Sequence, residues 1–236
     1  ASDGSIYSAH NDGTVRKIDA DGNELWSYTN NTEFNPTELA LDSSDNVYLG
    51  GGAWDGSLLE KLDINGNRIW SYTGCSETVR GIHVDANDNV YICNRDNGAR
   101  KFDASHNLIW SLGGSNSEEY DITADQNGNA YLATRYGGLK KLDLNGTKVG
   151  EAFTSTAAYS VVSDLNGNIY VGLSDNSIQK YDTSGVLQWT FSEHVSTPYL
   201  RIDKNGDLVT ISPGSGVYKK LDRTKITDSS GVFSKP

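Results

Sequence analysis

The chain of 236 residues has no methionine, only two cysteines and only four prolines. Two cysteines cannot staple a dense disulfide scaffold. Four prolines beside 25 glycines, with no three-residue period, exclude a collagen-like chain. No apolar run approaches the ~20 residues of a membrane-spanning helix, so no membrane insertion is expected. Positive charge is scarce. Twenty Lys and Arg face 31 Asp and Glu, a formal net charge of −11, which is the wrong sign for attracting nucleic acid or anionic lipid. Apolar residues make up only 36%, but aromatic residues reach 10%, and disordered chains are poor in aromatics. The chain starts at Ala1 without a methionine, and is read as part of a longer chain or larger assembly.

What is present is repetition. Lys-apolar-Asp recurs at Lys17-Ile18-Asp19, Lys61-Leu62-Asp63, Lys101-Phe102-Asp103, Lys141-Leu142-Asp143, Lys180-Tyr181-Asp182 and Lys220-Leu221-Asp222. Successive copies lie 44, 40, 40, 39 and 40 residues apart. Seven residues after the Asp come Trp26, Trp70, Trp110 and Trp189, with Gly150 at this register in the fourth unit. Tyr7, Tyr48, Tyr91, Tyr131 and Tyr170 keep a third register, with Val209 in the sixth unit.

Within a unit the apolar residues alternate with period two, the signature of half-buried strands. In the third unit, 79–84, 89–93, 99–102 and 107–111 read as four strands separated by Asp- and Asn-rich turns. Asn-Gly and Asp-Gly pairs mark other hairpin turns, among them Asp21-Gly22, Asn65-Gly66 and Asn166-Gly167. Four short antiparallel strands per ~40 residues, six times over, predict an all-β six-bladed β-propeller. The whole of 1–236 reads as a single propeller, with units near 1–36, 37–77, 78–117, 118–156, 157–196 and 197–236. The first unit lacks an innermost strand, and the last needs Gly231-Val232-Phe233 from the tail as its fourth.

The repeated residues read as scaffold. Each Asp can accept backbone amides of its turn. Each Lys is expected to be a solvated partner, and each Trp packs between neighbouring blades. The run Asp-Gly/Asn-x-Val/Ile-Tyr-x-Gly followed by Lys-Leu-Asp-x-x-Gly-Asn-x-x-Trp, best seen at Asp42 to Trp70 and Asp164 to Trp189, resembles the repeat of PQQ-like (quinoprotein-type) β-propellers. The runs at 168–182 are also similar to NHL repeats. The resemblance implies the fold and, for a six-bladed member without a vicinal cysteine pair, the non-catalytic branch of the family. It implies no PQQ. No resident cofactor is expected, with calcium left open.

Function should lie where the copies differ. One face of the innermost strands carries Glu38, His83, Asp121, Tyr199 and Arg201, expected to line a central channel. The loops bear Phe34, Trp54, Arg95, Arg135 and Tyr136, expected to gather on one ligand-binding face, since Trp, Tyr and Arg are favoured at binding hot spots. His10, His106 and His194 are expected in solvent. The reading is therefore a non-enzymatic binding or attachment module for a protein or surface glycan. An extracellular, cell-surface or virion-surface setting suits a composition rich in Ser, Asn, Asp and Gly. Two alternatives stand beside it. One is a metal-dependent hydrolase or lyase with Glu38, His83 and Asp121 converging in the channel. The other is a structural spacer of a larger surface or virion protein.

Overall fold

The computed structural model describes residues 1–10, 12–30, 34–53, 56–75, 77–95, 98–113, 118–149, 154, 156–192, 198–203, 205–212 and 217–221. They fall into two compact units, Ala1–Asn116 and Ser117–Pro236. The first unit holds three antiparallel sheets. These are β1 (Ile6–Ala9), β2 (Thr14–Ile18) and β3 (Glu24–Thr29); β4 (Asn35–Leu41), β5 (Val47–Ala53), β6 (Gly56–Leu62) and β7 (Arg68–Cys75); and β8 (Val79–Val84), β9 (Val90–Asn94), β10 (Gly98–Phe102) and β11 (Leu108–Leu112).

The second unit holds three more. These are β12 (Glu119–Ala124), β13 (Ala130–Thr134) and β14 (Gly138–Leu142); β15 (Ala158–Ser163), β16 (Ile169–Leu173), β17 (Ile178–Tyr181) and β18 (Leu187–Phe191); and β19 (Tyr199–Ile202), β20 (Leu208–Ser212) and β21 (Val217–Leu221). Six sheets of three or four antiparallel strands, each strand beside its sequence neighbour, are the blades of a six-bladed β-propeller. In the third blade the strands match the sequence expectation to within a residue at each end. The first blade has three strands among the described residues, as expected. The proposed last strand at Gly231-Val232-Phe233 lies outside the described residues.

The turns explain the repeated Asp. In ten turns, beginning at Asp19, Asp42, Asp63, Asp85, Asp103, Asp125, Asp143, Asp164, Asp182 and Asp203, one carboxylate oxygen accepts the backbone N–H groups two and four residues on. The residue three positions after each Asp has φ between 59° and 87°, which is why Gly is favoured there. Donation from Asn67 and the turn amides holds the Asp63 carboxyl below its usual range. These carboxylates are committed to their turns, so the calcium-like Asp-x-Asn-Gly runs are hairpins.

The Lys expectation needs correction. Lys17, Lys61 and Lys101 are buried. Lys61 Nζ lies 2.9 Å from Asp42 Oδ2 and 4.8 Å from the centre of the Tyr48 ring. The stem covers apolar surface while the ammonium is paired, which alternation alone does not reveal.

The Trp residues join blades. Trp26 of β3 donates Nε1–H to the Ile64 carbonyl at 2.9 Å in the next blade, and its ring fills the place where Gly66 would carry a side chain. Trp70 of β7 stacks on His106 one blade further, with centroids 4.4 Å apart and planes 14° apart. His106 therefore does not sit in solvent as expected. Its Nε2 is also 2.9 Å from the Tyr48 hydroxyl.

Gly66, His106 and Gly185 hold equivalent positions three residues after Asp63, Asp103 and Asp182. Tyr131, Leu139, Ile169, Tyr181 and Asp182 close around Gly185 and leave no room for a water molecule.

Candidate functional site

In the first unit the described site residues differ in burial. Phe34 is 2% exposed and packs with Val15, Val47, Leu49, Leu58 and Leu62. Its assignment to a ligand-binding face is corrected: it is a core residue immediately before β4, disguised by the polar run 30–33. Trp54 lies outside the described residues. Arg95 is exposed after β9. Glu38 on β4 and His83 on β8 are half-buried. The surroundings of His83 disfavour its cation and push it down to about 4, with Asp85 opposing the shift.

The second unit brings three inner strands into one polar cluster. A bulge at β12 leaves Glu119 opposite Thr134 and Asp121 opposite Ala133, so Tyr120 is the extra residue. An equivalent bulge at β15 leaves Tyr159 extra, between Ala158 and Ser160. Bulges re-aim neighbouring side chains. Asp121 is 9% exposed. Its Oδ2 accepts the Ser160 hydroxyl and the Val161 N–H, both at 3.0 Å, and its Oδ1 accepts the Ile122 N–H at 2.9 Å. Ser160 Oγ in turn accepts the Leu200 N–H at 3.1 Å, linking β12, β15 and β19. Arg201 places Nη1 3.9 Å from Asp121 Oδ2 while its side chain stays 59% exposed. Burial pushes the Asp121 carboxyl up; Arg201 and the three donors oppose it only in part. Tyr199 is half exposed on the same β19.

Beside this cluster lies an aromatic surface of which the sequence showed only Arg135 and Tyr136. The Tyr120 and Tyr159 rings stack with centroids 4.5 Å and planes 29° apart. Glu118 accepts the Arg135 guanidinium at 3.0 Å and the Tyr120 hydroxyl at 3.3 Å. The Arg135 guanidinium lies 5.3 Å from the centre of the exposed Tyr136 ring. Glu118 has φ 43°, a strained value for a residue with a side chain, and the Arg135 N–H to Glu118 carbonyl bond of 3.0 Å holds it there. The Thr134 hydroxyl braces the loop, its single hydrogen shared between the carbonyls of Gly138 at 2.9 Å and Tyr136 at 3.1 Å. The signal for Tyr120 and Tyr159 was available: consecutive units carry Tyr where the first unit has Thr37 and Arg80.

Of the expected metal set, Glu38 and His83 belong to the first unit and Asp121 to the second. Among the described residues no group of three or more His, Cys, Asp or Glu is placed to hold a metal ion. No helix among them is long and apolar enough to cross a membrane.

The family model described as outer membrane protein assembly factor BamB matches residues 1–112, just under half of the chain. No curated protein matches the sequence. Among solved structures, the chain is similar to a streptogramin B lyase at 13% identity and TM-score 0.77, covering 94% of this chain and 80% of the lyase. It is similar to the computationally designed Ika8 protein at 20% identity and TM-score 0.73, covering 98% and 70%. It is also similar to the WD40 β-propeller domain of Doa1 at 17% identity and TM-score 0.74, covering 92% and 78%. Identities this low speak to fold. They nevertheless correct the expectation of a non-enzymatic module. A lyase is built on the same fold, so repetition in the scaffold is no argument against a catalytic centre.

Proposed function

We propose that the chain is an acid–base hydrolase or lyase whose centre is the Asp121 carboxyl on the inner strands of the second unit, with Arg201 beside it. The observation that carries this reading is a buried carboxyl, held up by desolvation, 3.9 Å from a largely exposed guanidinium. A raised carboxyl keeps a protonated fraction closer to neutrality, as a general acid requires. Once it gives up its proton to a leaving oxygen, the Ser160 hydroxyl, the Val161 and Ile122 amides and Arg201 stabilise the carboxylate. Arg201 also donates Nη1–H to the Leu200 carbonyl at 2.9 Å, and its positive charge lies where it would stabilise a developing negative charge on the substrate. The repeat supports kinship with PQQ-like propellers, and the composition supports an extracellular or surface setting; both are parts of the proposal.

The test is turnover in a panel of lactones, esters, aryl glycosides and uronate oligosaccharides. Asp121→Asn retains the shape and cannot act as the acid, so kcat/KM is expected to fall 100-fold or more while the thermal midpoint changes little. Absence of turnover across the panel, or full activity in D121N, would overturn the reading.

A further inference from the structure

The Tyr120–Tyr159 pair and its Glu118–Arg135 neighbour form a second constellation, one residue along β12 and β15 from Asp121 and Ser160. Its parts have a common chemistry. The stacked tyrosines are each half-buried, and what they expose is apolar ring with hydroxyl rims, that of Tyr120 donating to Glu118 at 3.3 Å. Glu118 and Arg135 offer an acceptor and a planar donor fork, already paired at 3.0 Å and therefore close to neutral as a unit. Tyr136 adds a ring that is 57% exposed beside them. Glu118 and Arg135 are held together before any ligand arrives, by the backbone bond from Arg135 to Glu118 and by the Thr134 hydroxyl within 134–138. Rigidity of this kind lowers the ordering cost of binding. A strained, braced residue such as Glu118 also points to use rather than to scaffold.

We propose that this surface seats a neutral pyranose ring of a saccharide, stacked on the tyrosines with adjacent hydroxyls bonded to Glu118 and Arg135. The C–H face of a sugar ring matches an aromatic face, and vicinal hydroxyls match a carboxylate–guanidinium pair, one hydroxyl donating to the carboxylate and its neighbour accepting from the guanidinium. The net charge of −11 disfavours a polyanionic ligand by long-range repulsion, which selects a neutral sugar over a uronate. As the substrate class of the Asp121 centre the inference rests on the reading above; as a binding site it stands separately.

The experiment is calorimetric and NMR titration of the full chain with cellohexaose, chitohexaose and maltohexaose, and with an oligouronate as the anionic arm. At least one neutral oligosaccharide is expected to bind, shifting tyrosine ring resonances, with little dependence on salt. Tyr120→Ala and Tyr159→Ala are expected to weaken it tenfold or more, and Tyr159→Phe, which keeps the ring, to restore it. Equal thermal midpoints in Y159A and Y159F would separate loss of the platform from loss of the fold. No binding of any neutral sugar, salt-sensitive binding of the oligouronate alone, or unchanged affinity in both alanine variants would overturn the proposal. Binding without turnover sinks the catalytic reading alone; Asp121-dependent turnover with unchanged affinity in Y120A and Y159A sinks the platform alone.

Discussion

Trp70→Ala is expected to lower unfolding free energy by about 2–3 kcal/mol, at or below the lower end of the range for a fully buried large aromatic because the indole is half-buried. Trp70 stacks on His106 at 4.4 Å, lies parallel to Tyr72 at 6.2 Å and meets Phe102 edge-on at 5.7 Å. It therefore joins its own sheet to the next one. Removing it opens a cavity that rigid strands on both sides cannot close, so the transfer and cavity terms add. Urea unfolding is the measurement. His106→Ala should cost less, because the indole keeps Tyr72 and Phe102. A loss below about 1 kcal/mol in W70A would show that the contact does not couple the blades.

The second large effect is acid sensitivity centred on His83. Its folded value is pushed down to about 4 from an ordinary 6.5, so the folded state binds this proton less readily than the unfolded chain does. Stability from this group is complete above pH ~6.5 and is lost as the pH falls toward 4. Full conversion of the shift gives about 3 kcal/mol, and partial exposure reduces the expected loss to about 2 kcal/mol. His106, also pushed down by burial and by Lys61, acts in the same direction. Asp121 acts in the opposite direction, because its raised carboxyl favours the folded state at lower pH. The comparison that isolates His83 is the urea midpoint at pH 7.5 and pH 4.5 in the native chain and in His83→Gln. The variant should lose distinctly less. Equal losses in both would place the sensitivity elsewhere.

The blades were legible because a blade is a local object. Its strands follow one another, its alternation has period two, and its turn residues are dictated by φ. The Trp contacts were legible for a related reason, since a large ring repeated at one register must meet the same place in each neighbour. The site was not legible in this way. Tyr120 and Tyr159 are 39 residues apart and meet because each is the extra residue of a bulge, and a bulge resets which way a side chain points. Simple alternation put Asp121 on the channel-lining face of its strand and said nothing of its burial or of its link to Ser160 and, through it, Leu200. Phe34 and His106 misled because their sequence neighbours are polar, while burial depends on what packs from the next blade. Lys61 misled because a long stem can be covered while its charge is paired.

The Trp-on-turn contact has a consequence for how such a chain changes over time. In the first unit the seams set Trp rings on a turn of the next blade, whereas in the second Asp121 bonds Ser160 and Tyr120 stacks on Tyr159 between neighbouring first strands, away from any such turn. Coupling of this kind runs mainly between nearest neighbours. Substitutions on an inner strand or loop can then accumulate in one blade without disturbing the joints of the others, so one inherited frame can be refitted to different chemistry blade by blade.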